Sequence, residues 1–256
     1  HTGEAVKVKL DKPSEVEFGS HGQDVVPINT TQKGDEKKAV KQGSEILLAS
    51  NRALSKFSQG LNKKVKERAN FLIQQVKNKE ISKADLNKRL VATSSSGSEK
   101  FGFVSRDFEN LGGSSQFKQG NTIPGVKVDS SGEFEITNRN EYIEHVKSLY
   151  KERDNELNLF TEELINKHID NQTEPFSTRD GLPGLHAEVQ STNDVFNYLS
   201  NSRKVDLKSY DLDDIKVSTY KLQKDKNGGQ GDMFVACKNC GGILSNPIHV
   251  ITGRSH

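Results

Sequence analysis

The sequence predicts an α/β protein: a mixed sheet with helices between its strands, behind a mainly helical N-terminal region. Three observations lead there. Apolar and polar residues alternate in short runs at 126–136 and 215–222, the spacing of half-buried strands. Around them, apolar residues fall at steps of three and four, the spacing of helices packed on a core. The chemically versatile residues of the second half, a His-x-Glu and a Cys-x-x-Cys, stand where a turn or strand-like run gives way to a helix.

Residues 1–41 read as an extended leader with few apolar anchors, in which Val6-Lys7-Val8-Lys9-Leu10 and Glu15-Val16-Glu17-Phe18 alternate like short strands. From 44 to 77 the pattern turns helical. Leu54, Phe57, Leu61, Val65, Leu72 and Val76 form one stripe, Lys63-Lys64-Val65-Lys66 lies mostly off it, and Gly60 is a point of kinking. Ser82, three residues before Asp85, reads as the cap of a short helix through Leu86 and Leu90. This basic segment suits a helical hairpin that packs on the next domain or tethers it to a larger protein. A partner- or nucleic-acid-binding arm is the second reading.

Thr93-Ser94-Ser95-Ser96-Gly97-Ser98 has the composition of a linker. It divides the chain into an N-terminal leader and helical region, 1–97, and a second domain, 98–256, that carries the His-x-Glu and the Cys-x-x-Cys. Residues 101–108 suggest a strand, followed by a Gly/Ser/Gln loop. Val126-Lys127-Val128-Asp129 and Glu133-Phe134-Glu135-Ile136 read as a hairpin, the first strand pair of the sheet. Tyr142, Val146, Leu149, Leu157, Phe160 and Leu164 then mark one or two amphipathic helices. After a helix beginning near residue 186 come a strand at 215–222, a Gly-rich loop at 225–232 and a strand at 248–252. The loop's Asn227-Gly228-Gly229-Gln230-Gly231 lacks the Lys-Ser/Thr of a phosphate cradle; it reads as a flexible loop at the mouth of the site.

The site itself rests on His186-Ala187-Glu188 and Cys237-Lys238-Asn239-Cys240, which holds the chain's only two cysteines. Gly181-Leu182-Pro183-Gly184 makes a turn before His186, and Leu185, Val189, Val195, Phe196 and Leu199 give the following helix its apolar face. Two thiolates and one imidazole fill three corners of a zinc tetrahedron and leave the fourth for water. Glu188 is poorly placed to share that metal but can reach the water. Cysteines three apart at a helix start fall on one side, and the positive end of the helix dipole favours the thiolate. A redox dithiol or half of a structural zinc site is the bland alternative. No third cysteine exists, and the other histidines (His1, His21, His145, His168, His249 and His256) show no paired spacing.

His-x-Glu with Cys-x-x-Cys is the signature of the zinc nucleobase deaminases. Gly184-Leu185-His186-Ala187-Glu188-Val189, Asn193, Cys237-Lys238-Asn239-Cys240-Gly241-Gly242-Ile243-Leu244 and Val250-Ile251-Thr252-Gly253 resemble the YwqJ-like branch of the cytidine-deaminase superfamily. Domains of that branch lie at the C-termini of bacterial polymorphic toxins and secreted effectors. The resemblance covers about residues 122–256 and is specific from Gly181 onward. It departs from the wider pattern at Ala236, where a proline usually precedes the first cysteine. It implies a cytidine-deaminase-like mixed sheet with Zn²⁺ on His186, Cys237 and Cys240. It further implies Glu188 as the proton-transferring group, and substrate contacts from the backbone at Ala187 and from Asn193; a surface or capping role is the alternative for Asn193. The chemistry implied is hydrolytic deamination of cytosine or adenine, in single-stranded nucleic acid or in nucleotides.

Composition bounds the rest. Hydrophobic residues make up 32% of 256, which suits one core of modest size with polar flanks. No run approaches the ~20 apolar residues of a membrane span. With both cysteines assigned to metal, none remains for disulfides, which suits a reducing compartment. Residues 1–100 carry 19 basic and 12 acidic side chains, net +7, and the remainder 18 and 23, net −5. An acidic catalytic region argues against a strongly electrostatic nucleic-acid groove but is compatible with stacking on single strands. The chain reads as part of a larger protein, and the resemblance implies one secreted or translocated by a bacterium, acting in the target-cell cytoplasm and meeting an immunity or host partner protein. The competing readings are a non-catalytic, zinc-stabilised binding module of the same fold and an enzyme of this fold acting on a protein target.

Overall fold

The computed structural model describes residues 54–82, 92–111, 114–118, 121–224 and 228–255. The strand-like runs before residue 42, the helix through Leu86 and Leu90, and part of the Gly-rich loop lie outside them. Helix α1 (Lys56–Lys77) begins at Ser55, whose hydroxyl accepts the Ser58 N–H, and runs unbroken through Gly60. Its stripe buries Phe57, Leu61, Val65, Ala69, Leu72 and Ile73 against a sheet built by β1 (Ala92–Ser98), β2 (Phe103–Val104), β3 (Phe108–Glu109), β7 (Ile215–Lys221) and β8 (His249–Val250).

The expected linker is instead the central strand. All seven residues of β1 are buried. The strand pairs antiparallel with β7 from Ala92↔Lys221 to Ser98↔Ile215, while β2 and β3 share its other edge. Composition misleads here because a strand buried on both faces normally reads as an apolar run. In β1 the four serine hydroxyls find partners instead, while that of Thr93 is buried without one. Ser94 Oγ donates to the Ser218 carbonyl (2.9 Å) and receives from Thr219 Oγ1 (3.1 Å), and Ser96 Oγ lies 2.7 Å from Ser191 Oγ and 3.0 Å from Thr192 Oγ1. Small side chains also permit close approach: a Cβ at Gly97 would lie 2.6 Å from the Phe57 ring and 2.7 Å from the Phe103 carbonyl. Ser94 and Ser96 face helix α4 (Ala187–Asn197), whereas Gly97 faces α1. Helices α1 and α4 therefore cover opposite faces, in three layers.

The hairpin β4 (Val126–Val128) and β5 (Glu133–Ile136) forms as expected, but β6 (Phe176–Ser177) joins it in a separate three-stranded sheet. The main sheet's leading hairpin is β1–β2. Phe134 stacks between Phe117 and Phe176, which draws the small sheet onto the core. Helices α2 (Arg139–Lys151) and α3 (Leu159–Asp170) start at Asn138 and Asn158, whose side chains cap them. Among the described residues, no helix is long and apolar enough to cross a membrane.

Candidate metal centre

Two helix starts meet at the site. His186 is the residue before α4, and Cys237 is the residue before α5 (Lys238–Ile243), so both stand at N-termini as the sequence indicates. The turn at 181–185 is fixed from behind: Tyr142 donates to the Pro183 carbonyl at 2.6 Å and Tyr150 to that of Gly184 at 2.7 Å. The approach to Cys237 is tied to β7 by Phe234 N–H on the Thr219 carbonyl. Ala236 is fully buried, and its N–H donates to the Gly253 carbonyl at 3.0 Å. A proline could not make that bond, which accounts for the departure from the wider pattern at this position.

His186 Nδ1 lies 3.3 Å from Cys237 Sγ and 3.2 Å from Cys240 Sγ. The three donor atoms all fall within 4.8 Å of one another. Bonds of about 2.0 Å to nitrogen and 2.3 Å to sulfur at tetrahedral angles separate N and S by about 3.5 Å, so this cluster fits one zinc ion with little adjustment. Glu188 is buried, 3% exposed, in the first turn of α4 two residues on from His186. Burial, the largest influence, pushes the Glu188 carboxyl above its ordinary range; the Cys237 charge adds to this while His186 opposes it.

The three donors polarise one another. The hydrogen bond from Cys240, aided by the imidazole, holds the Cys237 thiol well below its ordinary value. Burial and the neighbouring Cys237 charge push Cys240 well up. For His186, burial pulls downward, but Cys237, Glu188 and Asp180 outweigh it and raise the imidazole to about 9. Asp180 stands beside the cluster, its own carboxyl raised by burial and by Cys237.

The structure brings His186, Glu188, Cys237 and Cys240 together and treats the other two expected residues differently. The Ala187 N–H is already bonded to Asn110 Oδ1 at 2.9 Å. Asn193 is fully buried and turned away: its amide donates to Asn155 Oδ1 and the Glu156 carbonyl, and its Oδ1 accepts the Asn158 N–H. It fixes the segment leading into α3. Asn110, just after β3 and with its oxygen anchored at the start of α4, is one of the residues that sequence reasoning missed, as are Asp180 and Asn239. For Asn110, a lone Asn in a polar stretch gave no signal.

A sheet covered by helices, with a histidine and two cysteines at facing helix starts and a buried glutamate beside them, has the layout of a zinc hydrolase site. The chain belongs to the YwqJ-like deaminase family, whose sequence profile matches residues 116–249. Among curated proteins it is similar to toxin subunit YenC2 of Yersinia entomophaga, 31% identical over 129 residues. That alignment covers 50% of this chain and 13% of YenC2, so the chain spans a small part of that relative's length. No solved structure matches.

Proposed function

We propose that the chain is a zinc-dependent nucleobase deaminase with a cytidine-deaminase-like arrangement, serving as the active portion of a bacterial toxin or effector. The observation that carries this reading is the buried Glu188 carboxyl beside the His186–Cys237–Cys240 cluster, since a purely structural zinc has no use for a carboxylate there. Zinc held by those three side chains supplies the Lewis acidity that brings the pKa of water toward neutrality. Glu188 accepts one proton of the attacking water, holds it in a site shielded from solvent and passes it to the ring nitrogen; it then takes the second proton from the added hydroxyl and delivers it to the departing amine. A carboxyl raised by burial suits this, because the group must both take and return a proton near neutral pH. Water oxygen adds at the amine-bearing ring carbon, the C–N bond breaks and ammonia leaves. The substrate is cytosine or adenine, in a single strand or a nucleotide, and the similarity to a toxin subunit favours delivery from a producing bacterium into a target cell.

The test is mass spectrometry on single-stranded DNA, single-stranded RNA and a nucleotide pool incubated with zinc-loaded protein, with Glu188→Ala in parallel. The expected result is an amine-to-carbonyl mass change with the unmodified protein alone, while Glu188→Ala keeps its zinc. No change in any pool would shift the reading to a protein target or a non-catalytic module.

A further inference from the structure

Asn239 lies inside the Cys-x-x-Cys, between the two thiol ligands, and is 3% exposed. Its side chain bonds away from both cysteines. The Nδ2 group donates to two successive carbonyls, Asp180 at 3.2 Å and Gly181 at 2.8 Å, and Oδ1 lies 3.0 Å from His168 Nε2. Two carbonyls on one side require the NH₂ group there, so Oδ1 faces His168, and the histidine must donate through Nε2. The His168 ring lies tight against α5, where a Cβ at Gly242 would come within 2.2 Å of its Nδ1.

The turn that Asn239 grips presses on the metal-ligand histidine. A Cβ at Gly181 would fall 2.4 Å from His186 Nε2, so the backbone of residue 181 touches the ring edge opposite the ligating Nδ1. Asn239 thus couples three parts: α3 through His168, the 180–181 turn through two carbonyls, and the His186 ring through that turn.

We propose that Asn239 is a positioning residue that holds His186 in its Nδ1-ligating orientation by clamping the 180–181 turn against the back of the imidazole. The inference rests on reading His186, Cys237 and Cys240 as a metal site; it does not depend on what the enzyme deaminates. Groups that orient a metal-ligating histidine are worth roughly 10–100-fold in metal affinity. The clamp differs from the usual carboxylate partner because it acts through backbone contact with the ring.

The test is Asn239→Asp, which keeps the shape and the acceptor toward His168 but removes both donors to the turn. Zinc affinity is measured by chelator competition, and geometry by the visible bands of the Co²⁺-substituted protein. The expected result is a 10–100-fold weaker zinc affinity with altered Co²⁺ bands, at an unchanged folded fraction. Affinity within about threefold of the unmodified protein, with superimposable bands, overturns the proposal. Should the variant not fold, the unmodified zinc-loaded protein decides by NMR: slow exchange of the Asn239 side-chain amide protons supports the clamp, and free exchange overturns it. An unmodified protein that binds neither zinc nor cobalt overturns the metal reading, and the clamp with it.

Discussion

Ser96 Oγ, on the central strand, lies 2.7 Å from Ser191 Oγ on α4, with both side chains completely buried. Ser191 and Thr192 each direct their hydroxyl to the Glu188 carbonyl, at 3.1 and 2.8 Å. Each therefore commits its only hydrogen to the first turn of α4, and Ser96 is left as the donor, its one hydrogen serving the nearer oxygen, Ser191 Oγ. The strand is joined by hydroxyls to the turn that carries Glu188. Removing the donor strands buried acceptors, so Ser96→Ala should cost about 1–2 kcal/mol by chemical denaturation. In a double-mutant cycle with Ser191→Ala the two should couple; additive effects would show that the contact is incidental.

Metal uptake should depend on pH in a defined direction. Zinc takes thiolates and neutral imidazole. With His186 raised to about 9 and Cys240 also raised, each must shed a proton at neutral pH, whereas Cys237, held low, need not. Affinity should rise about 100-fold per pH unit through neutrality and level off once both groups have titrated. Chelator competition at a series of pH values measures that slope, and a flat profile would exclude this donor set.

Gly181 is required twice over. Its φ of 66° and ψ of −172° fall in a region essentially closed to other residues, at a cost of about 1–3 kcal/mol, and a Cβ there would meet the His186 ring. Gly181→Ala should lower thermal stability and weaken zinc binding together, read by melting with and without metal. Normal binding at reduced stability would mean that the ring shifts freely.

The family profile begins at residue 116, yet β1 lies upstream of it and pairs along its whole length with β7. A chain starting at residue 99 would expose both the β7 edge and the polar face of α4. It should lack the dispersed amide spectrum of a folded protein, whereas one starting at residue 54 should keep it. A folded product from residue 99 would mean that β1 is dispensable.

Local patterns made much of this legible. The α1 stripe, the β4–β5 hairpin, and α2 and α3 were visible as periodicity, because each turns one side to a core; β7 alternates in the same way, yet all seven of its residues are buried. His186, Glu188, Cys237 and Cys240 were visible because metal chemistry allows few residue types at few spacings. Hidden were the features whose physics is non-local. Ser94, Ser96 and Ser98 of β1 find partners about a hundred residues away, so they carry a linker's composition into a strand. Asn193 reads as a site residue by its place on the helix but is used by the loop before α3.

The sequence alone singled out the His186–Cys237–Cys240 cluster, the glutamate beside it and the helix starts that present them, since these follow from side-chain chemistry and short-range spacing. Only the tertiary structure decided that a serine-rich segment is the middle of the sheet, that Asn110 anchors the start of α4, and that Asn239 reaches past its own motif to the turn behind His186. Those roles depend on hydrogen bonds between groups distant in the chain, whose partners exist only once the fold has closed.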